Sequence, residues 1–226
     1  MEVYQIISLI VLIVIIIYSA VLSVIYYVRS YKSKKIDASN KSGKEIVSSI
    51  LAKYNLKNIN VEKIDGSDRY FYTEDIIFLS KDIYEGKSIY DVAVSGYIVS
   101  SFIKNNESKH LIRILSNLYS FLDYTILFSY AIVILGLSFE INNLIWIGVY
   151  LLIFAFISNL GLYIKERKLI DDVVSFLRHE EIINTTLKEK ITKMLFSIVS
   201  LSVASLVFKV TSFFQKAMHI IINDEE

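Results

Sequence analysis

Along this chain, runs of continuous hydrocarbon alternate with stretches in which apolar residues recur at helix or strand spacing. Tyr4 to Val28 is apolar without a charge, 25 residues that reach across a bilayer with some tilt. Leu118 to Phe139, Leu144 to Ile164 and Met194 to Phe214 read as three further spans. Between the first and second, Gly43 to Leu56 places Ile46, Ile50, Leu51 and Tyr54 at helical spacing, which predicts an amphipathic helix. Ile59 to Ile64, Arg69 to Thr73 and Asp75 to Ser80 read as short strands, with Asp65-Gly66-Ser67-Asp68 marking the first turn.

Ser88 to Asn105 is the stretch around which the rest is arranged. Ser88 and Asp91 form a capping-box variant, so a helix starts there. Its apolar residues lie almost all round, with Ile89, Val92, Ala93 and Val99 on one side and Val94, Tyr97, Ile98 and Phe102 on the other. Such a helix is buried. The apolar part ends at Ile103, short of the ~20 residues of a bilayer span, so it forms the core of a soluble subdomain.

Charge orients these elements. Arg29, Lys32, Lys34 and Lys35 follow the first apolar run, and Lys165, Arg167 and Lys168 follow the third. The positive-inside rule then puts residues 29–117 and 165–193 in the cytoplasm and both termini outside. The expected fold class is an α-helical membrane protein with four transmembrane helices and a small α+β cytoplasmic subdomain of zincin-like layout. Its parts are an anchor (1–28), the subdomain (29–117), a transmembrane hairpin (118–164), a cytoplasmic helical segment (165–193), and a fourth span with an acidic outside tail (194–226). Glu2 at the start, in place of a basic region, marks the first run as an uncleaved anchor.

Composition supports a lipid partner and removes several others. Hydrophobic residues make up 54% of the 226, above the ~45–50% of soluble domains. A net charge of +1 gives no field for nucleic acid, and the absence of cysteine excludes disulfides and thiolate zinc sites. The chain also has no proline, and that absence has no functional account. Metal chemistry would rest on three histidines and the carboxylates.

The order of elements resembles the bacterial integral-membrane neutral zinc metallopeptidases, a family of HExxH enzymes, over Tyr4 to about Gln215. The likeness is carried by Gly43-Lys44-Glu45 opening the amphipathic helix and by Asp68-Arg69-Tyr70-Phe71-Tyr72 leading to Phe78-Leu79-Ser80. Ser80-Lys81-Asp82-Ile83-Tyr84 and the Ser88-Ile89 start extend it. The resemblance implies zinc as cofactor, held by two imidazoles four residues apart, with the intervening glutamate as base. Counting forward from Ser88-Ile89, that motif falls on Tyr97-Ile98-Val99-Ser100-Ser101. Tyrosine and serine are poor zinc ligands against imidazole, and isoleucine accepts no proton. The family's third ligand falls near Leu162 or Tyr163, with Glu166 the nearest acid. His179-Glu180-Glu181-Ile182-Ile183 has half a motif, and His110 and His219 stand alone.

The expectation is therefore a catalytically inactive, metallopeptidase-like membrane protein without a cofactor. It would bind membrane lipids and another membrane protein, such as an active peptidase relative, as a homo- or hetero-oligomer. Tyr70, Phe71, Tyr72, Ile76, Phe78 and Tyr97 are the candidate partner groove, beside a strand Asp75 to Ser80 that is either an open edge or a covered centre. Two alternatives stay open. One is an active peptidase whose displaced site uses Glu166, His179 and Glu180. The other is a small transport or channel component using the intramembrane pair Asp123 and Asn159, which otherwise bond as packing glue. Lys209 is expected to snorkel toward Glu140.

Overall fold

The computed structural model describes residues 3–204 apart from 57, 67–69, 74, 107–108, 181 and 202, and side chains for all of these but residues 4, 105–106, 109–120 and 123. The described helices are α1 (Val3–Ser33), α2 (Gly43–Lys53), α3 (Lys81–Glu85), α4 (Ile89–Asn106), α5 (Lys109–Ser138) and α6 (Asn142–His179), with a seventh, α7, over 185–201. Three strands, β1 (Asn60–Ile64), β2 (Tyr70–Tyr72) and β3 (Ile76–Ser80), form one sheet. The chain divides into two compact units, one of 1–25, 115–163 and 200–226 and one of 26–114 and 164–199.

The second unit is built around α4. Ser88 caps it: the Asp91 carboxylate accepts from the Ser88 backbone N–H at 3.0 Å and from its hydroxyl at 2.7 Å, while the Asp91 N–H donates to Ser88 Oγ at 3.3 Å. Both residues are buried, so this box works away from water. The segment after α1 is fastened to the same corner, with Ile89 N–H donating to Ile36 O at 2.9 Å and Ala38 N–H to Lys87 O at 2.9 Å. Gly43 N–H donates to Gly86 O at 3.0 Å, which fixes the start of α2 there as well. A Cβ on Gly43 would stand 2.1 Å from Ile83 O, so the close approach requires glycine. Buried Ile46, Val47, Ile50 and Leu51 of α2 supply core beside Val92, Ala93, Val94, Ile98, Val99 and Phe102 of α4. The expectation of a helix buried nearly all round holds.

In the sheet, β3 is central, parallel to β1 and antiparallel to β2. Ile77 and Leu79 are fully buried on one face, while Ile76 and Phe78 are half-buried on the other. The strand is thus the centre of the sheet, covered on one face, and both of its edges are already paired. Glu45 completes a second capping box with Ser42 at the start of α2. Hydrogen bonding from the Ser42 backbone, then its hydroxyl, holds the Glu45 carboxyl below its ordinary value. A depressed folded value adds stability above the unfolded pKa, which is lost as pH falls through the folded one.

The expected four membrane spans are corrected to two among the described residues. Gln5–Ser33 and Asn142–His179 are long and apolar enough to cross a membrane, and only 17% and 28% of their apolar windows are buried. Of the second expected span, Tyr124–Ser138 is the shorter apolar stretch among the described residues, within the 30-residue helix α5. The fourth lies only partly within the described residues. The third continues without a break into the segment expected to be separate, as α6. The fold is mostly helical, with seven described helices and one small sheet.

The first unit has a small core of Ile15, Ile126, Leu152 and Ala155. Gly148 lets α5 and α6 approach closely, since a Cβ there would stand 2.5 Å from Val133 Cγ2. Ile7, Ile10, Val14 and Ile17 of α1, Phe128 and Leu137 of α5, and Ile147 and Phe154 of α6 remain exposed. That is far more outward hydrocarbon than a soluble monomer carries.

Ser88→Ala is expected to cost about 1–3 kcal/mol, because it strands buried partners at the α4 cap, and Ser42→Ala, at the solvent-exposed box, about 1 kcal/mol. Thermal unfolding in mild detergent, read as separate losses for the two variants, checks the order.

Candidate functional site on helix α4

Tyr97 and Ser101 occupy successive turns of α4 and face β2. The match is geometric. Two residues apart on a strand spans ~6.7 Å, and one turn of helix rises ~6 Å over four residues, so alternate strand positions meet i and i+4 on a helix. Tyr70 meets Tyr97 edge to face, with ring centroids 6.4 Å apart. Tyr72 shares a 3.3 Å hydroxyl hydrogen bond with Ser101 and lies edge to face with Phe102 at 5.5 Å. Tyr70 and Tyr72 are therefore tied to α4. Ile98 between them is 2% exposed and points into the core.

The donor set does not fit zinc. This face offers phenol and alcohol oxygens, both neutral near pH 7, where zinc is held by imidazole, thiolate or carboxylate. Among the described residues no group of three histidines, cysteines or acids stands close enough to hold a metal ion. Leu162 is buried and Tyr163 half-buried, neither of them an acid, and Glu166 lies half-buried on α6.

The six residues expected to line one groove are divided between the two faces of the sheet. Register opposes Tyr70 to Leu79 and Tyr72 to Ile77, so the two phenols share the α4 face. Phe71 opposes Phe78 on the outer face, their rings stacked at 4.7 Å, and Ile76 alternates onto that face too. Alternation along a strand explains the split.

The half-motif near 179 is a helix end. His179 is exposed, Glu180 pairs with Lys53 at 3.4 Å, and Ile182 and Ile183 are buried. His179 also lines a cavity of about 370 Å³ in the second unit with Ile50, Lys53, Ile103, Lys104, Asp172 and Phe176. Lys104 and Asp172 approach to 3.8 Å across it. This cavity was not anticipated, though Asp172, Ser175, Phe176 and His179 recur at helical spacing and mark one face of α6.

Of the polar residues expected inside the membrane, Asn159 and Glu140 lie within the described side chains. The Asn159 amide donates to Ala155 O of its own helix at 3.0 Å. The Asp123 and His110 side chains, and all of Lys209 and His219, lie outside the described residues. Glu140 is exposed in the α5–α6 turn with φ 56°, where Ile141 N–H donates to Gly136 O at 2.9 Å in a helix-terminating motif.

A family model described as "Putative neutral zinc metallopeptidase" matches residues 5–220. No curated protein and no solved structure matches the chain.

Tyr72→Phe and Ser101→Ala are each expected to cost about 0.5–1.5 kcal/mol, the net worth of one hydrogen bond. In a double-mutant cycle the pair together should cost less than the sum. Denaturant midpoints for the four proteins test the coupling.

Proposed function

The chain belongs to the neutral zinc metallopeptidase family, and from that premise we propose that it is a catalytically silent member that acts by binding another membrane protein. In this reading Tyr97-Ile98-Val99-Ser100-Ser101 stands where the family's metal motif falls. The observation that carries it is the coupling of β2 to α4. The positions that would turn two imidazoles toward a metal are instead occupied by side chains in contact with Tyr70 and Tyr72. The position of the general base is a buried isoleucine. Without a ligand set to bind a cation or a group to activate water, no hydrolytic step can be assigned to this face.

The surface proposed for the partner is the outer face of the sheet. Phe71 is 51% exposed there and stacks on half-buried Phe78 beside Ile76. An aromatic residue held rigid in a small apolar patch is the kind of anchor that dominates protein interfaces. The exposed hydrocarbon of α1 and α6 supports a bilayer setting, and the basic residues that follow the apolar stretch of each helix favour the cytoplasm for the sheet and α4. A partner met at that surface would itself be at or in the membrane.

Purified protein is expected to carry zinc far below one equivalent and to show no peptide hydrolysis that a chelator abolishes. One zinc per chain together with chelator-sensitive cleavage defeats the silent-enzyme reading. Phe71→Ala should leave folding intact and remove the membrane proteins that copurify in mild detergent. Unchanged copurification would rule out the outer sheet face.

A further inference from the structure

The net charge of +1 conceals where the cations stand. Between Arg29 and Lys44 six basic residues accompany one acid, Asp37, and Lys165, Arg167 and Lys168 surround Glu166. The structure brings these two groups to one level. Arg29 donates to Lys193 O at 3.1 Å and to Ser197 Oγ at 2.9 Å, while the Arg167 guanidinium lies 5.5 Å from the centre of the Phe196 ring. The first basic turns of α1 and α6 therefore brace against the same short stretch of α7.

Lys32, Lys34, Lys35, Lys165, Arg167 and Lys168 are exposed around that level. Lys34 lies 4.9 Å from the centre of the Tyr90 ring, and Lys35 donates to the Tyr31 hydroxyl at 2.6 Å. Of the acids nearby, Glu189 is paired with Lys193. Just before Arg29, Val24, Tyr27 and Val28 are exposed, and just before Lys165, Leu160 and Ile164 are. Within about one turn of each helix the outer surface changes from hydrocarbon to cation. Tyr27 and Tyr31, both exposed, stand at the change on α1, as aromatic residues do at a bilayer interface.

We propose that this collar is a binding site for the phosphate headgroups of anionic phospholipids, resting on the reading of α1 and α6 as bilayer-embedded. A lipid satisfies both halves of the surface at once, its phosphate on the cations and its acyl chains on the adjoining hydrocarbon. A soluble polyanion such as nucleic acid would cover the cations and leave the hydrocarbon in water. Each cation contributes about a fivefold gain in affinity for an anionic surface.

The test uses the 226-residue chain reconstituted in phosphatidylcholine alone and in an equal mixture with phosphatidylglycerol. Resistance to alkaline extraction from the phosphatidylcholine vesicles reads insertion, and native mass spectrometry after detergent transfer reads the lipids retained. The expected result is insertion into both, with phosphatidylglycerol retained in preference. Combined Lys32→Gln, Lys165→Gln and Lys168→Gln should weaken that retention on the order of a hundredfold while leaving insertion unchanged. The matching arginine substitutions should keep it. Equal retention of the two lipids, or retention indifferent to the glutamine changes, overturns the collar while sparing the bilayer reading. Displacement of the lipid by millimolar inorganic phosphate, or by RNA, overturns the assignment to lipid. Extraction from phosphatidylcholine vesicles overturns the bilayer reading and the collar with it.

Discussion

One buried carboxylate fixes the architecture of the second unit. Asp91 is 8% exposed and accepts both Ser88 donors, so the first turn of α4 is closed by charge-assisted bonds in a poorly hydrated place. Three other segments depend on that corner. The stretch at 36–38 pairs with 87–89, α2 begins against Gly86, and α3 ends beside it. A Cβ on Gly86 would stand 2.2 Å from Asp91 Oδ2, so the chain passes the carboxylate only where a side chain is missing. The two glycines and the acid act together: the acid fixes the helix start, and the glycines let the backbone reach it.

Much of this unit was legible in the sequence because its signals are local. The Ser88–Asp91 spacing and the helical period of Ile46, Ile50 and Leu51 each need only a few neighbouring residues. The corresponding elements appear with ends shifted by a few residues. What the sequence left open depends on which strand lies beside which. Ile76 to Leu79 are apolar at every position, a pattern compatible with an edge or a centre, and only pairing on both sides decides it. Treating Tyr70, Phe71 and Tyr72 as one aromatic cluster overlooked that neighbours on a strand point to opposite faces.

The span count is corrected as well. Leu118 to Phe139 reads as one hydrophobic run, whereas among the described residues only α1 and α6 are long and apolar enough to cross a membrane and the apolar stretch of α5 is Tyr124–Ser138. The site was partly legible. Tyr97 and Ser101 were identified as the i, i+4 pair, but their bonding to Tyr72 and contact with Tyr70 required the strand to be placed. The match of strand and helix repeats was available beforehand only to someone who already knew which face β2 presented.

That match joins β2 to α4 at a modest gain. A hydroxyl pair contributes about 1 kcal/mol, a small part of what holds the helix. Val92, Ala93, Val94, Val99 and Phe102 are fully buried around α4, and each large apolar side chain contributes roughly 1.5–3 kcal/mol by leaving water. Ile98 adds to that core, where a carboxylate at the same depth would have to be desolvated. Hydrocarbon at position 98 therefore strengthens the packing of the helix. The phenols above it then need only hold β2 in place, work that one hydrogen bond and two edge-to-face contacts can do.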